Sequence, residues 1–334
     1  MRHHGRQPEA RGRFPHDRLG SPGLEGGRTG RARKYRLRPG SAFFNASMKT
    51  IELEYDMHPQ PRRGGAPNAV LHEIIGGYRA AYANFLEYLL QIREDFISLE
   101  NEPSAASPFT PYWENGFLPG LDIVTLHGML RRHNPRRYLE IGSGNSTKVA
   151  RRAIAMHGLQ TKVMSIDPQP RADVDQICDV VVREGLETVD ISTFEQLKSG
   201  DFLFFDGSHH AFMNSDVAVF FLEVLPVLAP GVFIHVHDIC LPYDYPEIWT
   251  SRFYSEQYVL ASALVFGASR FTIEMANMFI SKDPELSELL GRFWDHPNLK
   301  CVSGRHGASF WFRMTPPAVD TGVRSRMSAP IGQH

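Results

Sequence analysis

Cysteine is scarce in this chain. The three thiols among 334 residues, Cys178, Cys240 and Cys301, lie far apart, and no CxxC pair occurs. That spacing argues against a zinc knuckle and against a disulfide framework. Buried, reduced thiols suit the cytosol, so a cytoplasmic protein is expected. Long apolar runs are missing too. None approaches the ~18 residues of a membrane-spanning helix, and the N-terminus has no apolar signal-peptide core, so no membrane partner is expected. Neither sign of charge dominates: 36 Lys and Arg against 37 Asp and Glu leave a formal net charge of −1. The whole-chain balance therefore gives no reason to expect nucleic acid as a partner. What is present is ordinary globular composition, with a length that suits one large domain plus decoration.

One absence is local. Residues 1–47 contain no Val and no Ile and are rich in Arg, Gly and Pro. Such a stretch buries too little apolar surface to offset its ordering entropy, so a disordered basic extension is expected. Three readings of it compete: a basic nucleic-acid arm, an organellar transit peptide, which its lack of amphipathic period disfavours, and an upstream extension without function. Met48-Lys49-Thr50-Ile51 opens normal composition, which favours a start there. Residues 48–116 then read as a helical cap segment. Pro59 to Gly65 is loose, and Leu71 to Leu99 carries apolar residues close to a 3.6 period, which predicts a helix. That helix can cover a sheet or form a homo-oligomer contact. Residues 117–315 read as the main domain and 316–334 as a flexible tail.

From Arg137 onward short apolar strands alternate with helices. Strands are expected at 138–141, 162–166, 179–182, 202–205, 232–236, 271–275 and 309–314. Helices are expected at 119–132, 146–156, 216–228, 255–265 and 284–294. Alternation of this kind predicts an α/β, doubly wound, mostly parallel sheet. In such sheets ligands bind beyond the carboxyl ends of the strands, at the switch point.

The first strand runs into Glu140-Ile141-Gly142-Ser143-Gly144-Asn145-Ser146-Thr147. Its glycines allow a sharp turn and close approach of a ligand to the backbone, and Ser146 or Thr147 can cap the next helix. A glycine turn without a ligand is the plain alternative. The second strand ends in Asp167-Pro168, and an acid there can accept hydrogen bonds from both ribose hydroxyls. Turn and acid together favour a nucleoside ligand. The dinucleotide fingerprint needs a further glycine where Thr147 stands. The carboxylate of Glu140 near the turn would repel a pyrophosphate but suit a cationic ligand.

Glu140-x-Gly142-x-Gly144 resembles the acidic glycine-rich motif of class I S-adenosylmethionine (SAM) dependent methyltransferases. Asp167 resembles their ribose-binding acid, and Glu184-Gly185-Leu186 the segment that borders adenine in small-molecule O-methyltransferases. Asp206-Gly207-Ser208-His209, after the fourth strand, resembles the Asp-Gly-x-His turn of the branch containing macrocin-type and catechol-type enzymes. Ser146 replaces the family's third glycine. The resemblance runs from Tyr138 to Val265 and more weakly to Met314. It implies a seven-stranded Rossmann-like sheet with a reversed last strand. It also implies SAM as cofactor, held by Glu140, Gly142, Ser143, Gly144, Ser146, Asp167, Pro168, Glu184, Gly185 and Asp206.

Methyl transfer from a sulfonium chiefly requires positioning and deprotonation of the acceptor. The sequence sets Asp206, His209, His210, His237 and Asp238 at the ends of the fourth and fifth strands. The expected catalytic groups are Asp206, His209, His237 and Asp238. Carried over by position, Asp206 and Asp238 would hold a divalent cation, Mg²⁺ or Mn²⁺, although His237 stands where a further carboxylate would strengthen that site and would favour a softer metal. Base catalysis by His209 or His237 without a metal is the alternative. The aromatic stretches 242–249 and 112–117 are candidate walls for the acceptor, expected to be a small molecule or glycan. Two other functions compete with methyl transfer to oxygen: an NAD(P)-dependent oxidoreductase and a non-catalytic protein of the same fold.

Overall fold

The computed structural model describes residue 55 and residues 58–170 and 173–315. The expected extension over 1–47 and the tail over 316–334 lie outside the described residues. Of the first of the chain's two units, residues 1–56, only Tyr55 is described, and it is exposed.

In the second unit the helix expected over 71–99 is broken. Ala69–Gly76 (α1) and Arg79–Gln91 (α2) are separate, and a 3-10 turn follows at Arg93–Phe96. The adjacent glycines Gly76 and Gly77 weaken the helix at the break, and Tyr78 leaves helical geometry with φ −102 and ψ 11. The apolar face survives, with Leu71, Ile75, Tyr82, Phe85, Leu86 and Leu89 all buried. The next helix, Gly120–His133 (α3), is buried throughout its first three turns. It stops at Asn134, whose φ of 43 is the left-handed conformation common after a helix.

The alternating region folds as Arg137–Ile141 (β1), Asn145–His157 (α4), Lys162–Ile166 (β2), Val180–Val182 (β3), Ser192–Glu195 (α5) and Phe202–Phe205 (β4). The helix expected over 216–228 is Asp216–Val219 (α6), a π-turn at Phe220–Val224 and Leu225–Val227 (α7). Pro226, with no N–H to give, stands in the last piece. Then come Phe233–Val236 (β5), Glu256–Gly267 (α8), Phe271–Ala276 (β6), Asn277–Lys282 (α9), Pro284–Trp294 (α10) and Phe310–Met314 (β7).

The seven strands form one sheet in the order β3-β2-β1-β4-β5-β7-β6. All neighbours are parallel except that β7 runs against both β5 and β6. This is the expected doubly wound sheet with its last strand reversed. Every residue of β4 and β5 is buried, as in strands covered on both faces. The chain leaves β1 toward β2 and β3 and returns to β4 on β1's other side. The carboxyl ends of β1 and β4 therefore make the switch point, where Asp206 N donates to Ile141 O at 2.9 Å. Among the described residues no helix is long and apolar enough to cross a membrane.

Candidate active site

Three cavities open at this edge of the sheet. The first, about 420 Å³, lies over β1, β2 and β4 and is lined by Gly142, Ser143, Asp167, Pro168, Gly185 and Asp206 among others. The second, about 290 Å³, shares Ser143 and Asp206 with it and adds Gly144, Ser146, Lys148, Tyr112 and His237. The third, about 260 Å³, is largely aromatic and apolar, with Trp113, Phe117, Trp249 and Met278 around Asp238 and Glu114. Phe117 and Leu118 wall both the second and the third. Eight of the ten residues expected at the cofactor thus meet around two adjoining spaces. Glu140 and Glu184 do not line either one.

The turn itself is built on contacts that only some residues permit. Gly142 has φ 77, and a Cβ there would collide with the backbone carbonyl of Asp206. Asp167 ties the turn to β2: its Oδ2 accepts from Ser143 N at 2.8 Å, and its Oδ1 accepts from Gln169 N at 2.8 Å. Helix α4 starts at Asn145, one residue earlier than Ser146, so neither Ser146 nor Thr147 is its N-cap. Thr147 instead accepts from Gly144 N at 3.0 Å and donates to Glu140 Oε2. Tyr138 Oη donates to Glu140 Oε1 at 3.0 Å. Glu140, with no exposed surface, therefore braces the turn from behind. Burial pushes its carboxyl up to about 7, against the hydroxyls of Ser146, Thr147 and Tyr138.

At the ends of β4 and β5, two acids and two histidines alternate. His209 Nε2 is 3.4 Å from Asp206 Oδ1 and 3.6 Å from Asp238 Oδ2. His237 Nδ1 is 3.6 Å from Asp206 Oδ1 and 3.5 Å from Asp238 Oδ1. Each imidazole has a further buried acid behind it. Glu256 Oε2 lies 2.8 Å from His209 Nδ1, and Asp122 Oδ2 lies 3.4 Å from His237 Nε2. His209 and Asp238 hold left-handed backbones, φ 62 and 53, a conformation that costs about 1–3 kcal/mol and recurs at functional sites. The start of α8 fastens the first of these, since Ser255 N donates to His209 O at 2.9 Å.

The charges follow from this layout. Burial opposes protonation of His237, but Asp206 and Asp238, with Asp122 behind, hold it well above the ordinary imidazole range. For His209 burial is likewise outweighed, by Glu256 first and then Asp206 and Asp238, and its pKa is raised. Burial raises Asp238, with the two imidazoles opposing. Burial works to raise the Asp122 carboxyl, but His237, the N–H groups of Ala308 and Ser309 and Asn277 Nδ2 at 2.7 Å together hold it below its ordinary range.

His235, two residues before His237, shares its face as alternation predicts. It is fully buried, stacked on Phe204 and bonded to Ser309 Oγ at 2.7 Å. His210 turns outward to Ser208 O and Arg252 O. Of the thiols, Cys240 is buried and Cys301 is exposed, against the expectation of burial for all three.

The donor set does not fit the expected magnesium-type ion on Asp206 and Asp238. Hard cations of this kind take oxygen ligands, and here imidazole nitrogens stand within 3.6 Å of both carboxylates.

Sequence reasoning did not find Asp122, Glu256's place behind His209, or Lys148 in the second cavity. Asp122 had a weak signal, as the lone acid in an apolar run of α3. Lys148 had its position on the first turn of α4.

Residues 139–239 match a family model described as a methyltransferase domain. This span runs from β1 to the turn after β5 and is what the chain shares with that family. Nothing among curated proteins matches the chain. Among solved structures, an O-methyltransferase from Bacillus cereus in complex with S-adenosylhomocysteine is similar at 17% identity, over 70% of this chain and 91% of that one, with a TM-score of 0.30. The S-adenosylhomocysteine-bound methyltransferase of Podospora anserina is similar at 12% identity, over 72% and 95%, with a TM-score of 0.37. A plantazolicin methyltransferase in complex with the same product is similar at 12% identity, over 74% and 100%, with a TM-score of 0.38. Overlap this loose transfers no substrate to this chain.

Proposed function

We propose that the chain methylates a hydroxyl oxygen of a small-molecule or glycan-type acceptor, and that 117–315 is the catalytic unit with 58–116 as its cap. The observation that carries this reading is the ring of Asp206, His209, His237 and Asp238, set where the turn cavities adjoin an aromatic third cavity.

When bound, SAM supplies a methyl group on a cationic sulfur. In this reading its nucleoside lies in the first cavity, with Asp167 facing the ribose. Its amino-acid end lies in the second, where Lys148 offers a cation to the carboxylate. The aromatic walls of the third cavity hold the acceptor ring, and Asp238 accepts a hydrogen bond from its hydroxyl. The proton comes to rest at His209 Nε2, 3.6 Å behind Asp238 Oδ2. Glu256 fixes the tautomer by holding Nδ1 and balances the charge that forms, the arrangement that orients a histidine base in acyl-transfer enzymes. His237 stays protonated between Asp206 and Asp238. It keeps the two carboxylates in place, and the net negative ring favours the sulfonium.

The test is transfer of a labelled methyl group from SAM to a panel of phenols, sugars and amines, with products located by mass spectrometry. Methyl ethers formed by the wild type and lost in Asp238→Asn, with S-adenosylhomocysteine binding unchanged, are expected. Methylation of nitrogen alone would overturn the oxygen assignment.

A further inference from the structure

Outside the linings of the three cavities, three side chains from three elements converge. Asp95 comes from the 3-10 turn after α2, His127 from α3 and His157 from the end of α4. His127 Nε2 and His157 Nε2 are 3.1 Å apart, and Asp95 Oδ2 is 3.4 Å from the first and 3.1 Å from the second. Each residue offers one ligating atom, and none of them lines a cavity of the proposed active site.

Hydrogen bonds alone do not satisfy this triangle. A ring nitrogen carries either a hydrogen or a lone pair. If one Nε2 donates to Asp95, the contact between the two nitrogens and the remaining contact to Asp95 cannot both be donor to acceptor. At least one edge sets two lone pairs or two hydrogens against each other. A cation above the triangle meets three lone pairs at once. Four-coordinate zinc with bonds of about 2.0–2.1 Å spaces its ligands about 3.3–3.4 Å apart, close to the edges seen. His127 is 1% exposed, while the side chains of His157 and Asp95 are 16% and 14% exposed, which leaves a fourth position for water.

We propose that Asp95, His127 and His157 bind one divalent transition-metal ion of the zinc class, which ties the segment after α2 to α3 and α4. Two imidazoles and one carboxylate suit such a metal better than magnesium or calcium. Two arginines face the site. Arg131 Nη1 pairs with Asp95 Oδ2, and Arg152 Nη2 donates to Asp95 O at 2.6 Å. Arg131, with a side chain 34% exposed, competes with the ion for Asp95 and can swing into solvent.

The full chain, stripped with a chelator, is titrated with Zn²⁺ and, separately, with Co²⁺. One ion per chain at micromolar affinity or tighter is expected, with the intense visible absorption of four-coordinate cobalt. His157→Ala and Asp95→Asn each weaken binding at least tenfold, and Arg131→Met strengthens it, a gain that a purely structural contact would not show. Should either loss variant fail to fold by circular dichroism, an anomalous difference map from wild-type crystals soaked in Zn²⁺ decides, with the peak expected between the three side chains. Unchanged affinity in both folded loss variants, no stoichiometric binding, or a peak only at the Asp206 ring would overturn the proposal.

Discussion

Two glutamates of this molecule have the same burial and opposite consequences. Glu140 and Glu256 both have no exposed surface, and burial pushes each carboxyl up to about 7. Glu140 is met by neutral hydroxyls from Tyr138 and Thr147, so its charge has nowhere to go and it serves to shape the glycine turn. Glu256 is met by His209 at 2.8 Å on Nδ1, which leaves Nε2 turned toward Asp238 and the acceptor cavity. Burial alone therefore does not mark a chemical group. The partner decides whether a buried acid braces the fold or orients a base.

The largest effect is expected at the proton-handling end. His209→Ala removes the proposed base and lowers kcat by about 10²–10⁴-fold, with affinity for S-adenosylhomocysteine kept within about twofold because the turn is untouched. Steady-state rates with calorimetry on the same preparation check this, and an equal loss in both quantities would merge the two regions the comparison separates.

Next comes the turn. Gly142→Ala forces a side chain into φ 77 and against the Asp206 carbonyl. Backbone strain of about 1–3 kcal/mol plus that collision should weaken cofactor binding by at least about tenfold. A variant that binds as well as the wild type would mean the turn does not touch the ligand.

Much of this turn was legible in the chain itself. Short apolar strands, the glycines after β1 and Asp167 after β2 are local signals, and β4's Phe-Leu-Phe-Phe is too apolar to be anything but buried. The helix break at Gly76-Gly77 was missed because the apolar period continues across it. Asp122 and Glu256 were missed for a different reason. Their meaning comes from His237 and His209, distant partners that only the sheet brings near, and no spacing rule reports that. The reach of Glu140 was misjudged as well: an acid two residues before a glycine faces the ligand in the expectation, but Thr147 and Tyr138 claim both of its oxygens.

A smaller effect is expected from Glu256→Gln. Glu256 raises the His209 pKa, so its loss lowers that pKa. The base is then unprotonated down to lower pH, and the acid limb of the pH–rate profile moves to lower pH. The plateau kcat falls by about tenfold because the base is weaker and less well held. A profile that keeps its acid limb while kcat falls would place the titrating group elsewhere.

The smallest effect on turnover is expected from Glu140→Gln, and its signature is in stability. The folded carboxyl titrates at about 7 against an ordinary 4.5. The folded state thus holds this proton more tightly, which stabilises it below pH 4.5, and the contribution is lost as pH rises to 7. The full span corresponds to about 3 kcal/mol. Chemical denaturation at several pH values should show the wild type losing stability across that window relative to the variant. Parallel curves would show that Glu140 titrates alike in the folded and unfolded chain.

The central claim is that the glycine turn, Asp167 and Lys148 hold SAM beside a proton-accepting ring. Calorimetric titration of the wild-type chain with S-adenosylhomocysteine tests it most directly. One molecule bound per chain, lost in Gly142→Ala and retained in His209→Ala, is the expected result. A wild-type chain with no measurable affinity at millimolar ligand would contradict the account.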